Sequence, residues 1–283
     1  MDKRSTGMLM IAVMALMTLA YFSARDTDPV ALQLGRVVFA DLKPSLDQVA
    51  HVSINSGQAA VTLEKRAGVW RVVDREGYRV DMAQLSRLLR GLADMLYLER
   101  KTSNPERFAA LGLADRDTQN GAATYVELRT PNQRWSLLVG AAPVSRAGQY
   151  IRLPEQDQAW LVDQGLVLNS TPEKWLSPVI LNVDSEQIKA VILSQPNARR
   201  VEISNKSDAL GQVENARITN LPNGVSVPYA GAADEVTRAL VNLRLQDVQT
   251  FNSIDWQDAI AAQFDLINNK TLLIRGVMVA GEC

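Results

Sequence analysis

The strongest periodic pattern of apolar and polar positions in the chain is helical and follows residue 81. Leucines recur there at helical spacing, and the positions between them are polar or charged: one face holds Leu85, Leu88, Leu89, Leu92 and Leu96, and the other holds Gln84, Arg87, Arg90 and Asp94. Residues 68–74 (GVWRVVD), just before, have the composition of a half-buried strand. Because a helix with one apolar face must bury that face, residues 68–99 predict a helix lying on a sheet.

The residues before this helix predict the sheet. Residues 49–54 and 59–64 each alternate between apolar and polar positions, and Ser56-Gly57 between them is a turn sequence. Together with residues 68–74, they predict a three-stranded antiparallel meander. The helix that opens at Asp81 would then cover one face of this meander.

The segment after the helix predicts a short helix and two hairpins. Asn104 and Pro105 form a helix start, because proline has no amide proton to leave unpaired there, and Gly112 marks the end. The hairpins turn near Pro131 and Pro154, and their four predicted strands are residues 124–129, 134–139, 149–153 and 158–162.

The same order of elements returns in the second half of the chain. Strand patterns at 188–193, 200–204 and 216–219 precede a helical pattern, whose apolar residues match the first helix at a constant offset of 151 positions: Val236, Ala239, Leu240 and Leu243 against Leu85, Leu88, Leu89 and Leu92. A short helix at 255–264 and a strand at 270–275 are predicted next. Counterparts of the later strands of the first half are missing, so the second half is either smaller or completed by another chain.

These patterns predict an α+β protein with two related modules, each an antiparallel meander covered by an amphipathic helix. The predicted boundaries are residues 47–140 for module 1, residues 141–187 for a connecting hairpin with short helices, and residues 188–283 for module 2. Residues 24–46, broken by Pro29 and Pro44, are predicted to be a tether.

The first residues predict export. Residues 7–23 carry no charge, whereas Lys3 and Arg4 precede them, a pattern that keeps the N-terminus in the cytoplasm. Seventeen residues of helix span roughly 25 Å, slightly less than the hydrocarbon core of about 30 Å. A retained transmembrane anchor is favoured over a cleaved signal peptide, because cleavage after Ala20 or Ala24 would follow a weak small-residue pattern. Residues 1–6 would then be cytoplasmic, and the bulk of the chain would lie across the membrane.

Composition narrows the classes of partner and chemistry. The 30 basic and 31 acidic residues nearly cancel, so nucleic acid is not an expected partner. Cys283 is the only cysteine, which excludes an intramolecular disulfide and a cluster of thiolate metal ligands.

The candidate metal and catalytic residues each lack partners that the corresponding motif requires. His51, the only histidine, is predicted on the strand face opposite Val52, where a lone imidazole is not a metal site. Asp115 and Asp117 begin a sequence resembling a calcium loop, but Asn120 replaces the required glycine. A solvated loop is therefore expected there.

Other motifs are also incomplete. Residues 224–228 (GVSVP) lack the second glycine of a nucleophile turn, and Gly140 is not followed by a dinucleotide fingerprint. No catalytic, cofactor-binding or metal residues are therefore predicted, no cofactor is expected, and the chain is not expected to be an enzyme. Two groups of positive charge are interpreted as solvated, with partner docking as the alternative: Arg87, Arg90, Arg100 and Lys101 near the first helix, and Arg199 and Arg200 in the second module. The five tryptophans are interpreted as core anchors, with ligand stacking left open for Trp175: Trp70, Trp135, Trp160, Trp175 and Trp256.

Several short motifs occur in an order that resembles a known bacterial family, the domain of unknown function numbered 4340, over roughly residues 47–250. They are Gly68-Val69-Trp70, Val80-Asp81, residues 108–113 (FAALGL), residues 137–140 (LLVG) and residues 150–153 (YIRL). The resemblance implies one N-terminal transmembrane helix and an association with ABC-transporter components that resemble gliding-motility auxiliary proteins. It supplies no catalytic motif.

The sequence therefore leaves three hypotheses. The first is a non-catalytic, single-pass protein of the bacterial inner membrane, mainly periplasmic, that serves as an accessory or assembly subunit of a membrane complex such as an ABC-type transporter. The second is a periplasmic binding module for a glycan, lipid or peptide. The third, an enzyme, would require the fold to bring His51 within hydrogen-bond reach of a buried carboxylate and a serine.

Overall fold

The computed structural model describes residues 13–14, 17, 33–114, 122–196, 199–205, 216–227 and 229–277. Most of the predicted membrane segment 7–23, and all of Asp115, Asp117 and Cys283, lie outside the described residues. Within the described part of the chain, no helix has both the length and the apolar character needed to cross a membrane. Contacts divide the chain into two units, the first containing the residues up to Arg71 and Met82–Pro172, the second Val72–Asp81 and Glu173–Cys283.

The first unit is built on one antiparallel sheet. Numbered in chain order, its strands are β1 (His51–Asn55), β2 (Ala60–Arg66), β3 (Val69–Val72), β5 (Tyr97–Arg100), β6 (Thr124–Arg129), β7 (Arg134–Val139), β8 (Gln149–Arg152) and β9 (Ala159–Val162). Neighbouring strands follow the order β3-β2-β1-β6-β7-β8-β9-β5, with antiparallel pairing from β2 to β5. The predicted meander and both predicted hairpins are present in this sheet.

Helices α1 (Leu42–Ser45) and α2 (Met82–Asp94) lie in the first unit. Helix α2 buries Leu85, Leu88 and Leu92, so the apolar face predicted from the leucine spacing is confirmed. The last leucine of that pattern, Leu96, lies beyond the helix, where its backbone N–H donates to Asp163 Oδ1 at 2.7 Å.

Residues 33–46, the described part of the segment predicted to be a tether, pack in the first unit. The backbone N–H of Val38 donates to the carbonyl of Met95 at 2.8 Å, and Val37 pairs with Leu96 in an isolated antiparallel bridge. Leu42 is fully buried. The described part of this segment therefore contributes to the hydrophobic core.

The second unit contains a smaller sheet. The strands of the second unit are β4 (Tyr78–Arg79), β10 (Val179–Leu181), β11 (Ile188–Ser194), β12 (Val201–Ser204), β13 (Arg217–Ile218), β14 (Leu243–Arg244), β15 (Ile260–Leu266) and β16 (Thr271–Gly276). Five of them follow the order β13-β12-β11-β15-β16, and β10 pairs with β14 separately. Helix α3 (Ala232–Arg238) packs on this sheet, because Ala233 lies in one buried cluster with Val191 and Phe264.

The two sheets share part of their strand order. The series β3-β2-β1-β6-β7 in the first unit and β13-β12-β11-β15-β16 in the second follow the same path along the chain. The first sheet then continues through β8, β9 and β5, whereas no described strand follows β16 in the second. Both units consist mostly of antiparallel strands with few helices, which confirms the mixed α and β class.

Two predictions in the second unit are wrong. The second half of the helix predicted at 255–264 belongs to strand β15, in which Phe264 and Leu266 are buried two positions apart, the spacing of a strand. The second amphipathic helix ends at Arg238, and the left-handed backbone of Asn242, with φ of +53°, prevents a continuous helix as far as Leu243.

The tryptophans are mostly core anchors, as predicted. Trp70, Trp135 and Trp160 are buried, and Trp175 is completely inaccessible to solvent. The alternative of ligand stacking on Trp175 is therefore wrong. Trp256 is only partly buried and stacks on Phe251, with 4.8 Å between the ring centroids.

Candidate functional site

Polar side chains from four neighbouring strands gather on one face of the first sheet. They form two rows in which each residue is paired directly with the next across the strands: Glu64, His51, Arg129 and Arg134 in one row, and Thr62, Ser53, Glu127 and Ser136 in the other. Directly paired residues project to the same side of a sheet, so these eight residues share a surface, here called the polar face. Val52 and Ile54 point to the opposite, buried side.

Glu127 is the buried acid of the polar face. Its Oε2 accepts a hydrogen bond from the Tyr125 hydroxyl at 2.9 Å, and its Oε1 accepts one from Arg129 Nε. Arg134 Nη1 lies 4.0 Å from Oε2. Both carboxylate oxygens of Glu127 therefore have hydrogen-bond partners on the same strand, and the carboxylate fixes the positions of Tyr125 and Arg129.

Arg129 and Arg134 form an exposed pair of like charges. They are paired directly across β6 and β7, and their side chains are 53% and 63% exposed. Like charges in this arrangement destabilise a sheet, and the carboxylate of Glu127 offsets only one of them. The pair therefore presents excess positive charge to solvent, in a form suited to bind a carboxylate or a phosphate.

His51 is half-buried on the polar face, as its strand pattern predicts. Its Nδ1 is shielded from solvent and has no hydrogen-bond partner. Burial, together with the positive charge of Arg129, lowers the pKa of His51, although Glu64 and Glu127 act in the opposite direction. The imidazole is therefore neutral at neutral pH, and it adds no charge to the row.

The arrangement required for the enzyme hypothesis is not formed by His51. Glu127 and Ser53 share its face, but the oxygens of Glu127 bind Tyr125 and Arg129, while His51 Nδ1 binds nothing. A catalytic triad needs a base that is oriented by the acid and bonded to the nucleophile.

The four cations predicted near the first helix lie on different elements. Arg87 and Arg90 are on α2, whereas Arg100 ends β5 and donates from Nε to Gln158 Oε1 at 2.8 Å. Lys101 pairs with Glu99 at 2.5 Å. Arg87 borders a groove of about 200 Å³ between α2 and residues 164–167.

A second charged cluster lies within the second unit. Arg75 Nε donates to Asp247 Oδ1 at 2.7 Å, and its Nη2 lies 3.1 Å from Glu173 Oε1. The hydrogen bond to Asp247 raises the pKa of Arg75 above its usual range, so this cation stays charged. The backbone N–H of Asp81 donates to the carbonyl of Trp175 at 2.7 Å. These contacts hold residues 72–81 in the unit and show no catalytic geometry.

The remaining sequence candidates stay separate from these clusters. Ser226 lies in the segment 224–227, whose Val225 and Val227 are exposed, and Pro228 lies outside the described residues. Among the residues that the structure describes, no three His, Cys, Asp or Glu side chains are grouped so that they could hold a metal ion.

The polar face could not be recognised from the sequence because its members are distant along the chain. His51 and Arg129 become neighbours only through the pairing of β1 with β6. One local signal was available, the alternation of polar residues at positions 125, 127 and 129 within an apolar strand.

Comparison with known proteins identifies a family but no annotated relative. Neither the curated proteins nor the solved structures yielded a match. The sequence model of the family described as "Domain of unknown function (DUF4340)" matches residues 70–264, from the Trp70 strand to β15. Since this match covers more than half of the 283 residues, the chain belongs to the DUF4340 family.

Proposed function

We propose that this protein is a non-catalytic, membrane-anchored subunit of the bacterial envelope that serves an accessory or assembly role in a membrane complex, with an ABC-type transporter as the partner. In this proposal residues 7–23 are a retained single span in the inner membrane, residues 1–6 are cytoplasmic, and the bulk of the chain is periplasmic. The two units are related modules, a relation that their shared strand order supports.

The observation that carries the proposal is the exposed pair Arg129 and Arg134. Two like charges paired directly across a sheet cost stability in the isolated protein. An acidic group on a partner would remove that repulsion on binding, and it would gain charge-assisted hydrogen bonds from two guanidinium groups. Glu127 fixes the position of Arg129, so the site is already organised before a partner arrives.

The test is affinity purification of the full-length chain from membranes in a mild detergent, followed by mass spectrometry. We expect membrane proteins, transporter subunits among them, to co-purify with the wild type. The double variant Arg129→Gln and Arg134→Gln should recover several-fold less of the same partners. Arg200→Gln is the matched control, because Arg200 is similarly exposed but lies in the second unit beside Glu202.

Two results would contradict the proposal. One is the absence of any specific membrane protein in the wild-type eluate. The other is equal recovery of partners by the double variant and the Arg200→Gln control, which would remove the polar face from the interaction.

A second candidate function, a periplasmic binding module, is favoured by the groove beside α2. Leu88, Gly91 and Leu166 line it, and most of its lining surface is apolar. If full-length protein retained a glycan, lipid or peptide from envelope extract in the absence of other proteins, and Gly91→Leu abolished this retention, the binding module would replace the accessory subunit as the better explanation.

A further inference from the structure

Within the part of the chain that the structure describes, strand β16 of the second unit has an open edge. It is the last strand in the order β13-β12-β11-β15-β16, and no described strand pairs with its outer side. The strand is six residues long, contains no proline and carries one charge, Arg275. Leu273 in its centre is 64% exposed. Natural sheets usually protect such an edge with charges, proline or a covering segment, because unpaired backbone groups there invite another strand.

In the first unit, the strand equivalent to β16 is covered by a further strand. Its β7 holds the position of β16 in the shared strand order, and β8 pairs with it antiparallel. Ile151 of β8 lies opposite Val139 and is completely buried. In the first sheet the core thus continues across this edge by means of an aliphatic residue on the added strand.

We propose that β16 pairs with β16 of a second copy of the chain, so that two sheets of five strands join edge to edge across a two-fold axis. Antiparallel pairing of one strand with itself satisfies the open backbone groups of both copies at once, which makes this a closed, isologous interface.

The side chains select the register of this pairing. Leu272 and Ile274 are paired with Phe264 and Ala262, and both pack against the buried cluster. Leu273 points to the other face. A shift by one residue would exchange the two faces, and a shift by two would set Ile274 opposite Lys270 or Leu272 opposite Gly276. Both core residues stay opposite core residues only where Leu272 faces Ile274 of the second copy.

In this register Leu273 lies at the axis, opposite Leu273 of the second copy. The exposed leucine is then covered by its own equivalent, as an apolar cross-strand pair. Arg275 falls opposite Thr271, so no like charges meet. The strand is therefore complementary to itself in both shape and charge.

Cross-linking of the full-length chain in membranes tests the pairing. In a Cys283→Ser background, Leu273→Cys places two thiols opposite each other at the axis, where paired Cα atoms are about 4.5–5.5 Å apart and can form a disulfide. Ile267→Cys is the matched control, because Ile267 is 65% exposed and close in sequence. Ile267 follows β15 and lies level with residue 269 of the turn, so two copies of it would be at least roughly 25 Å apart in the paired sheets.

We expect mild oxidation to convert the Leu273→Cys protein largely to a covalent dimer and to leave the Ile267→Cys protein monomeric. Sedimentation of the uncross-linked full-length chain in detergent should show a reversible dimer. Leu273→Lys, which sets two charges against each other, should weaken that dimer at least about tenfold, whereas Ile267→Lys should not. Equal cross-linking of both cysteine variants, or a wild-type monomer at the highest attainable concentration, would overturn the proposal.

Discussion

Arg129 and Arg134 lie directly opposite each other across β6 and β7, and the carboxylate that contacts both of them belongs to Glu127. The carboxylate of Glu127 is nearly inaccessible to solvent, and the guanidinium groups of Arg129 and Arg134 contact it from the exposed side. One buried negative charge thus holds two exposed positive charges in place. This relationship links the stability of the first sheet to the surface that it presents.

The first prediction concerns the removal of this charge. Glu127→Gln should lower the free energy of unfolding by about 1–3 kcal/mol, because the two arginines then repel each other without compensation. Urea unfolding measures the loss, which should shrink at high salt as the repulsion is screened. Glu202→Gln, at an exposed pair with Arg200, should cost less than about 0.5 kcal/mol. Equal losses in both variants would contradict this role of Glu127.

The second prediction concerns pH. Because the pKa of His51 is lowered in the folded chain, the unfolded chain binds more protons below about pH 6.5, and stability should fall as the pH decreases through that range. The loss should level off once the pH is below the folded pKa. His51→Gln should flatten this part of the profile of melting temperature against pH.

The single histidine also permits a direct measurement of the same effect. In a chain without a histidine tag, the only imidazole resonances observed by NMR belong to His51. Their titration midpoint, the pKa of His51, should lie below the ordinary histidine value of 6.5, owing to burial and to Arg129. A midpoint at or above that value would show that Glu64 and Glu127 outweigh these two effects.

The third prediction concerns Gly140. A Cβ atom at this position would lie 2.3 Å from the carbonyl oxygen of Leu111 and 2.9 Å from Leu113 Cγ. Gly140→Ala should therefore destabilise the protein by about 1–3 kcal/mol, since the backbone must move to relieve the overlap. Gly165→Ala is the control, because a Cβ there meets nothing within 4 Å. Thermal unfolding of both variants distinguishes a close approach from a general cost of replacing glycine.

The fourth prediction concerns the attachment of residues 72–81 in the second unit. Arg75→Ala removes the contacts to Asp247 and Glu173, and the partial exposure of these groups limits the loss to about 1 kcal/mol. The amide of Asp81, bonded to Trp175, should exchange its hydrogen faster in this variant. Lys43→Ala, at a far more exposed pair with Asp94, should change neither stability nor exchange measurably.

Local patterns predicted the elements of the first unit well. Alternation from residues 49–54 anticipates β1 at His51–Asn55, and the leucine spacing anticipates the buried face of α2. These features depend on neighbours within a few positions, so a single sequence contains them. The Asn104 cap and the left-handed Gly112 are confirmed for the same reason, although two short 3₁₀ turns replace the expected helix.

The second unit shows where local patterns fail. Ala261 and Ala262 have high helix propensity, but Ile260–Leu266 pairs on both sides with other strands. Pairing with β11 and β16 outweighs the intrinsic preference of the segment, and the alternation from Ile260 to Leu266 was the better signal. The polar face and the open edge of β16 also depend on strand order, which no local window contains.

The packing of residues 33–46 in the first unit limits how far that unit can extend from a bilayer. If residues 7–23 are the span, only nine residues, 24–32, separate it from the first described position of the fold. Fully extended, they reach at most about 32 Å. With the proposed anchor, the fold of the first unit would begin within that distance of the lipid surface, and an acidic group of a partner would have to reach Arg129 and Arg134 from there.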